Sequence, residues 1–187
     1  MRLFVALEIP AAVRDDLDAM IRELRPLAPQ WKWVRAENLH ATLKFIGEIP
    51  LENLGAIRGA LSSVRCGRVV ELRFRGLGFF PDEKQASIFW AGVESSADIE
   101  SLAGEIDRAL ERVGIPREQR AFAPHLTLAR ISALGMPEKL RTAIQENMTR
   151  DFGALQTDQF HLIESRLKPT GAEYTTLQSF PFAAAEA

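Results

Sequence analysis

Apolar residues recur along the chain with two spacings, and segments of the two kinds follow one another. An apolar residue every three or four positions predicts an amphipathic helix, whereas alternation of apolar and polar residues predicts a half-buried strand. The predicted strands are Leu3–Ile9, Trp31–Val34, Leu39–Ile46, Val70–Phe74, Ser87–Val93, His125–Ile131, Leu155–Ile163 and Tyr174–Phe180. The predicted helices are Pro10–Leu24, Leu51–Val64, Ile99–Val113 and Pro137–Met148. A connection is predicted at Gly76, Gly78 and Pro81.

The two halves of the sequence resemble each other when one is shifted by 85 positions without a gap. The shift places identical residues together at Phe4 and Phe89, Ala6 and Ala91, Leu17 and Leu102, Ile21 and Ile106, His40 and His125, Thr42 and Thr127, and Leu43 and Leu128. We interpret this as an internal duplication, although a chance likeness between two α+β halves is the alternative. It predicts a single bilobal domain over residues 1–187, with halves of approximately 1–84 and 85–187. Two lobes related by an approximate two-fold axis would then face a central groove.

Composition narrows the class of protein. A chain of 187 residues that is 47% apolar and 26% charged predicts one folded domain and excludes a disordered chain. No apolar stretch approaches the roughly 18 residues of a membrane span, and Glu8 and Pro10 interrupt the first apolar run too early for a signal peptide. The single cysteine, Cys66, excludes an intrachain disulfide and favours a reducing, cytoplasmic location. A net charge of −2 argues against binding long nucleic acid through many phosphates.

Two of the three histidines lie in the motif His-x-Thr-Leu, at His40–Leu43 and His125–Leu128. Residues i and i+2 of a strand share one face, so each imidazole has a threonine hydroxyl beside it, at Thr42 and Thr127. Near neutral pH one imidazole can be neutral while another is protonated, which paired general base and general acid catalysis requires. The hydroxyls can donate hydrogen bonds to charged oxygens. The pair of motifs therefore predicts chemistry on a phosphodiester, through positioning and charge stabilisation without a covalent nucleophile.

Other kinds of catalytic site find little support in the sequence. Two histidines are ligands that zinc accepts, but threonine is a poor ligand and no carboxylate or cysteine lies at ligand spacing, so we predict neither a metal nor another cofactor. A Gly-x-Ser-x-Gly motif, a cysteine near a histidine and a glycine-rich phosphate loop are all missing from the sequence.

The remaining candidates have two interpretations each. Arg130 is either an exposed charge at a strand end or a phosphate-binding group, although strict alternation places it on the face opposite His125. Lys44 shares the parity of His40 but is equally well explained as a solvated side chain. His161 lacks the motif and is predicted to be a structural or surface strand residue. The three tryptophans are predicted in the core or at its rim, with stacking on a nucleobase as the alternative; they are Trp31, Trp33 and Trp90.

The paired motifs and their surroundings resemble the 2H phosphoesterase superfamily, in its RNA 2′,3′-cyclic phosphodiesterase branch, also called 2′-5′ RNA ligase. The similar segments cover nearly the whole chain; they are Arg2–Leu7, His40–Gly47, Gly76–Pro81, Phe122–Arg130, Glu164–Leu167 and Gly171–Tyr174. The resemblance implies an α+β fold that is bilobal, with two pseudo-symmetric lobes, a mainly antiparallel sheet in each, helices outside and a central active-site cleft.

The resemblance also implies an activity and roles for single residues. The activity is metal-independent hydrolysis of an RNA 2′,3′-cyclic phosphate to a 2′-phosphate, with weak reversible 2′-5′ ligation. It maps His40 to the proton donor and His125 to the proton acceptor, and it maps Thr42, Thr127 and Arg130 to phosphate binding. We therefore predict a monomer that acts on RNA ends or short oligonucleotides, without a membrane or an obligate protein partner. Two alternatives stay open: another cyclic phosphate or a 2′-5′ oligonucleotide as substrate, and a non-catalytic protein that binds RNA ends.

Overall fold

The computed structural model of the chain describes residues 1–66, 69–95, 97–132, 135–169 and 171–182. Within these residues it contains nine strands and four α-helices. The strands are β1 (Arg2–Glu8), β2 (Lys32–Trp33), β3 (His40–Glu48), β4 (Val70–Phe80), β5 (Ile88–Ser95), β6 (His125–Arg130), β7 (Asp151–Thr157), β8 (Gln159–Lys168) and β9 (Gly171–Pro181). The helices are α1 (Ala11–Leu24), α2 (Leu54–Ser62), α3 (Ala97–Glu111) and α4 (Glu138–Glu146).

The strands form two antiparallel sheets. The four-stranded sheet has the order β3-β1-β8-β9, and the five-stranded sheet has the order β2-β6-β5-β4-β7. This arrangement confirms the predicted α+β class with antiparallel sheets. The amphipathic stripes of α1 and α3 bury Leu17, Ile21, Leu102 and Ile106 in the same apolar core as the sheets. None of the helices in the described ranges is long and apolar enough to cross a membrane.

Neither sheet is formed by strands from only one half of the sequence. β4 precedes residue 85 in the chain, yet it pairs with β5 and β7 in the five-stranded sheet. β8 comes from the second half and pairs with β1 in the four-stranded sheet. Most buried side chains of the two sheets belong to one continuous core, which includes Leu43 and Leu128. The extent of the bilobal domain over residues 1–187 stays a prediction.

The repeat is offset by one residue in its first strand. Phe4 pairs with Phe45 across β1 and β3, and Ile88 pairs with Arg130 across β5 and β6. Phe45 and Arg130 lie 85 positions apart, so the counterpart of Phe4 is Ile88 rather than Phe89. The gap-free alignment is therefore wrong by one residue at this strand. Successive residues of a strand point to opposite faces, so an error of one residue matches side chains on different faces. Here it matches Phe4 with Phe89, although Phe89 faces the core and Phe4 lies on the other face.

The predicted connection at Gly76 and Gly78 is wrong, because β4 continues through both glycines to Phe80. Gly76 has a φ of +77° and lies where the pairing of β4 with β5 shifts register, so it belongs to a bulge. Gly78 lies directly beneath the ring of Trp90, and a Cβ atom built on it would be 2.2 Å from a ring carbon. Both glycines are thus adaptations within a strand.

The predicted strand Leu155–Ile163 is two strands, β7 and β8, separated by Asp158. The chain changes sheets at this residue, since β7 pairs with β4 and β8 pairs with β1. Four consecutive polar residues, Gln156–Gln159, lie at this junction, and the predicted strand wrongly continued through them.

Candidate active site

Two β-bulges at equivalent places shape the strands that carry the His-x-Thr motifs. In β3 the register moves from Ala6–Thr42 to Val5–Lys44, so Leu43 is an additional residue. In β6 the register moves from Trp90–Thr127 to Phe89–Ala129, and Leu128 is the additional residue. A bulge reverses the face on which the following residues lie.

The bulges correct two expectations that were based on strict alternation. Arg130 pairs with Ile88 after the bulge and lies, exposed, on the same face as His125 and Thr127. Lys44 is turned to the opposite face and does not accompany His40: only 5% of it is exposed, and its Nζ donates to Asp107 and to the carbonyl of Pro116. The equivalent of Arg130 is Phe45, which is 59% exposed.

We call the face of each sheet that carries the motif residues the open face, as opposed to the face that packs in the core. On the four-stranded sheet the register places on it Phe4, Ala6, Glu8, His40, Thr42, Phe45 and His161. On the five-stranded sheet the register places on it Gly78, Phe80, Ile88, Trp90, Gly92, His125, Thr127 and Arg130. β3 and β6 contact each other, so the two motifs lie on neighbouring strands of different sheets.

His40 lies at the start of β3, half-buried among aromatic rings. The ring centroid of Tyr174 is 5.6 Å away and that of Phe4 is 6.2 Å away. Among the residues that the structure describes, the buried Nδ1 of His40 has no hydrogen-bond partner of ordinary geometry, although the Asn38 carbonyl favours the charged ring. The enclosure of Nδ1 leaves Nε2 as the nitrogen available to a ligand.

His125 lies at the start of β6, and its tautomer follows from its backbone contact. Nδ1 is 2.7 Å from the carbonyl oxygen of Ala123. Because a carbonyl only accepts, Nδ1 carries a proton in this contact and Nε2 of the neutral ring keeps a free lone pair. The ring of Phe80 packs edge-on against His125 at a centroid distance of 5.0 Å. The geometry thus offers a base at Nε2 of His125.

The electrostatic surroundings of His40 act in both directions on its charge. Burial is the largest influence and lowers the pKa of His40 below its ordinary value. The Asn38 carbonyl and the Glu8 carboxylate oppose this by raising the pKa, whereas the positive charges of Arg14 and His161 lower it further. A carboxylate therefore partly offsets the cost of charging this ring.

His161 is a buried strand residue, only 5% exposed, on the open face of β8. Ala6 of β1 pairs with His161 on one side and with Thr42 on the other, and it is itself fully buried. Nδ1 of His161 is 2.9 Å from the hydroxyl of Ser179. Burial lowers the pKa of His161, and the Glu8 carboxylate opposes that shift.

The three tryptophans divide between the core and the open face. Trp31 is buried, and Trp33 stacks on it while its Nε1 donates to the carbonyl of Ala28. Trp90 is half-buried on the open face beside Thr127 and packs against Phe80. The interpretation as core or rim residues is therefore right for Trp31, which lies in the core, and for Trp33, which packs against it.

Sequence reasoning did not find three residues of the site, namely Glu8, Phe80 and Tyr174. Glu8 is directly opposite His40 across β1 and β3. Phe80 and Tyr174 contact the two motif histidines through their rings. Glu8 had a visible signal, since it ends the apolar run of β1, but its meaning depends on strand pairing. In the described parts of the chain, no three or more His, Cys, Asp and Glu side chains are placed to hold a metal ion.

The family model and the named relatives that match this chain are all phosphoesterases. The family model described as LigT-like phosphoesterase matches twice, over residues 7–90 and 92–174, and the two matches begin at the offset of the internal repeat. An Archaeoglobus fulgidus protein named RNA 2′,3′-cyclic phosphodiesterase is 32% identical over 180 residues, covering 96% of this chain and 99% of that protein. A Thermus thermophilus protein of the same name is 35% identical over 196 residues, covering 96% and 89%.

The fold agrees with that of a solved relative. The crystal structure of a protein from Thermus thermophilus superimposes with a TM-score of 0.81 and 31% sequence identity, and the match covers 100% of both chains. The family model covers nearly the whole sequence and includes both His-x-Thr motifs. The chain therefore belongs to the LigT-like phosphoesterase family.

Proposed function

We propose that this protein hydrolyses RNA 2′,3′-cyclic phosphate ends to 2′-phosphomonoesters. The observation that carries the proposal is the placement of two imidazole–hydroxyl pairs, His40 with Thr42 and His125 with Thr127, on the open faces of two contacting strands. The relatives named RNA 2′,3′-cyclic phosphodiesterase, at 32% and 35% identity, support this choice of substrate.

The proposed reaction is one in-line displacement at phosphorus. Nε2 of His125 accepts a proton from water as the water oxygen bonds to phosphorus, and the bond from phosphorus to O3′ breaks as Nε2 of His40 donates its proton to O3′. The hydroxyls of Thr42 and Thr127 donate to the non-bridging oxygens. The product carries a 2′-phosphate and a free 3′-hydroxyl, and exchange with solvent restores both imidazoles. A 5′-hydroxyl in place of water would give a 2′-5′ linkage, which is the proposed ligation.

The test uses an RNA oligonucleotide that ends in a 2′,3′-cyclic phosphate, incubated with the purified protein in the presence of a chelator. We expect conversion to a 2′-phosphate, seen by mass spectrometry as the addition of one water and by resistance of the product to a 3′-specific phosphatase. Turnover that disappears with chelator and returns with added metal would contradict the metal-independent mechanism. Tight binding of the RNA end without any turnover would favour the non-catalytic alternative.

A substrate panel separates the proposed activity from the same chemistry on other substrates. Values of kcat/KM are compared for the cyclic-ended RNA, a mononucleoside 2′,3′-cyclic phosphate and a 2′-5′-linked oligonucleotide. We expect the highest value for the cyclic-ended RNA, and a higher value for the 2′-5′ oligonucleotide would contradict the proposal. Size-exclusion chromatography of the same sample tests the expected monomer. The cytoplasmic location also stays a prediction.

Arg130 and Phe45 occupy equivalent positions after the two bulges but differ in chemistry, which predicts different kinetic effects. Arg130→Ala removes a charge beside Thr127, so kcat/KM should fall about 10- to 100-fold for every phosphate substrate. Phe45→Ala removes an exposed ring beside Phe4, so its loss should be larger for substrates with a nucleobase than for a ribose cyclic phosphate without one. Arg108→Ala, at an exposed ion pair on α3, is the control. Equal losses for both substrates in both variants would contradict this division.

A further inference from the structure

The two halves of the site differ at the residue opposite each catalytic histidine. Across β1 and β3 the partner of His40 is Glu8, and across β5 and β6 the partner of His125 is Gly92. Residues directly opposite in an antiparallel pair have Cβ atoms about 4.5–5.5 Å apart. One imidazole therefore has a glutamate directly opposite it in the sheet, while the other has a glycine.

The Glu8 carboxylate is also held on the open face by a second strand. Oε1 of Glu8 accepts a hydrogen bond from the hydroxyl of Thr176 at 3.4 Å. His161 of β8 lies opposite Ala6, which is two residues before Glu8 on the same face of β1. The Glu8 carboxylate therefore acts on the imidazole of His161 as well as on that of His40. On the five-stranded sheet the corresponding space at Gly92 is closed to a side chain, because a Cβ atom built there would be 2.4 Å from the carbonyl oxygen of Arg75 and 3.5 Å from the ring of Trp90.

We propose, on the basis of the function proposed above, that Glu8 is a positioning residue which holds the positive charge on His40 and so makes His40, rather than His125, the proton donor to the leaving oxygen. A general acid must be charged before it can donate, and a nearby negative charge favours the charged imidazole. Two site histidines that are otherwise related by the repeat acquire different roles because only one of them has this carboxylate opposite it.

Of the charged groups that act on His40, Glu8 is the one that favours a positive charge on its ring. Arg14 from α1 and His161 from β8 both oppose a positive charge on His40, and burial opposes it most strongly. Tyr174 from β9 contacts the imidazole through its own aromatic ring and contributes no carboxylate. The Glu8 carboxylate acts in the opposite direction and raises the pKa of His40, together with the Asn38 carbonyl. Because Glu8 is exposed, its influence is partly screened and should weaken as salt is added.

The experiment records the titration of the histidine ring protons by NMR in the full-length protein. The chain has three histidines, so three curves are assigned by single substitutions. Glu8→Gln keeps the shape of the side chain and its acceptor for Thr176 but removes the charge. We expect the midpoint of His40 to fall by an amount equivalent to a two- to fivefold change in its protonation constant, as expected for unit charges at this separation in a solvated site. The His125 midpoint should not move, and Glu8→Asp should restore most of the His40 shift.

The matched control is Glu48→Gln, which removes an exposed carboxylate at the other end of the same strand pair. The same variants are then assayed on the cyclic-ended RNA. For Glu8→Gln, kcat/KM should fall two- to fivefold on the alkaline side of its pH profile and remain unchanged on the acid side, because only the supply of protonated His40 is reduced. A purely structural role for Glu8 would lower activity equally at all pH values.

Two results would overturn the proposal. One is an unchanged His40 midpoint in Glu8→Gln, and the other is a loss of activity confined to the acid side of the profile. The NMR titration needs no substrate, so it is independent of the proposed function. A shifted His40 midpoint in a protein without turnover would reject the proposed function alone. Normal turnover with an unshifted midpoint would reject the role of Glu8 alone.

Discussion

His40→Ala and His125→Ala are each expected to lower kcat on a cyclic-ended RNA by about 10²- to 10⁴-fold, the usual contribution of a positioned acid or base. In the proposed reaction each imidazole moves a proton in the same displacement. The kcat of the double variant should therefore be only slightly lower than that of the less active single variant, since the effects of residues that act as a unit are not additive. Single-turnover measurements with excess enzyme give the required rate constants.

Both substitutions should leave the fold intact, because each histidine is half-buried at the start of a strand and outside the apolar core. Circular dichroism and thermal unfolding of the variants provide this control. Near-full activity in either folded variant would contradict paired acid–base catalysis. A change in affinity without a change in rate would instead favour the protein that only binds RNA ends.

Thr42→Val and Thr127→Val should each lower kcat/KM by roughly 10- to 100-fold. Each removes a hydroxyl that donates to a charged oxygen, an interaction of about 1.5–3 kcal/mol, while valine keeps the shape of the side chain. The double variant should lose less than the product of the single losses, because a phosphate released on one side no longer has good geometry on the other. A double-mutant cycle of kcat/KM values measures this coupling.

The matched control is Thr142→Val, which removes an exposed hydroxyl of α4 that donates to the carbonyl of Glu138. Its kcat/KM should stay within about twofold of the wild type, as exposed substitutions away from a site usually do. Strictly multiplicative losses at Thr42 and Thr127 would show that the two hydroxyls act on separate groups, which would contradict a shared phosphate.

The sequence was sufficient to identify the motif residues because their chemistry is local. In each motif the threonine lies two positions after the histidine, and strand geometry places both on one face without any knowledge of the neighbouring strands. Most of the strands and helices followed in the same way from the two hydrophobic periods, whereas the α+β class with antiparallel sheets was implied by the family resemblance. These predictions depended on short-range patterns, which an isolated segment already contains.

Bulges limited what could be said of the residues after each motif. Arg130 was expected on the wrong face by strict alternation, and Lys44 had the parity of His40 but lies in the core with Asp107. An additional residue in a strand leaves no mark in the alternation of a six-residue segment, because Leu43 and Leu128 are apolar whichever face they occupy. Only the register of the partner strand reveals them.

Long-range pairing decided the remaining differences. Glu8 and His161 approach His40 because β1 pairs with both β3 and β8, which are distant in sequence. Likewise, Gly78 resembled a loop residue until the ring of Trp90 was seen to cover it. Such contacts depend on which strands become neighbours, and neither composition nor periodicity contains that information.

The pH dependence of kcat/KM for the wild type and the two single histidine variants, on one cyclic-ended RNA, tests the central claim most directly. A base must be neutral and an acid must be charged, so the wild-type rate should fall on both sides of its optimum. His125→Ala should lose the fall on the acid side, and His40→Ala should lose the fall on the alkaline side. If either variant retains both falls, or if both variants lose the same one, the two imidazoles are not the acid and the base of one reaction.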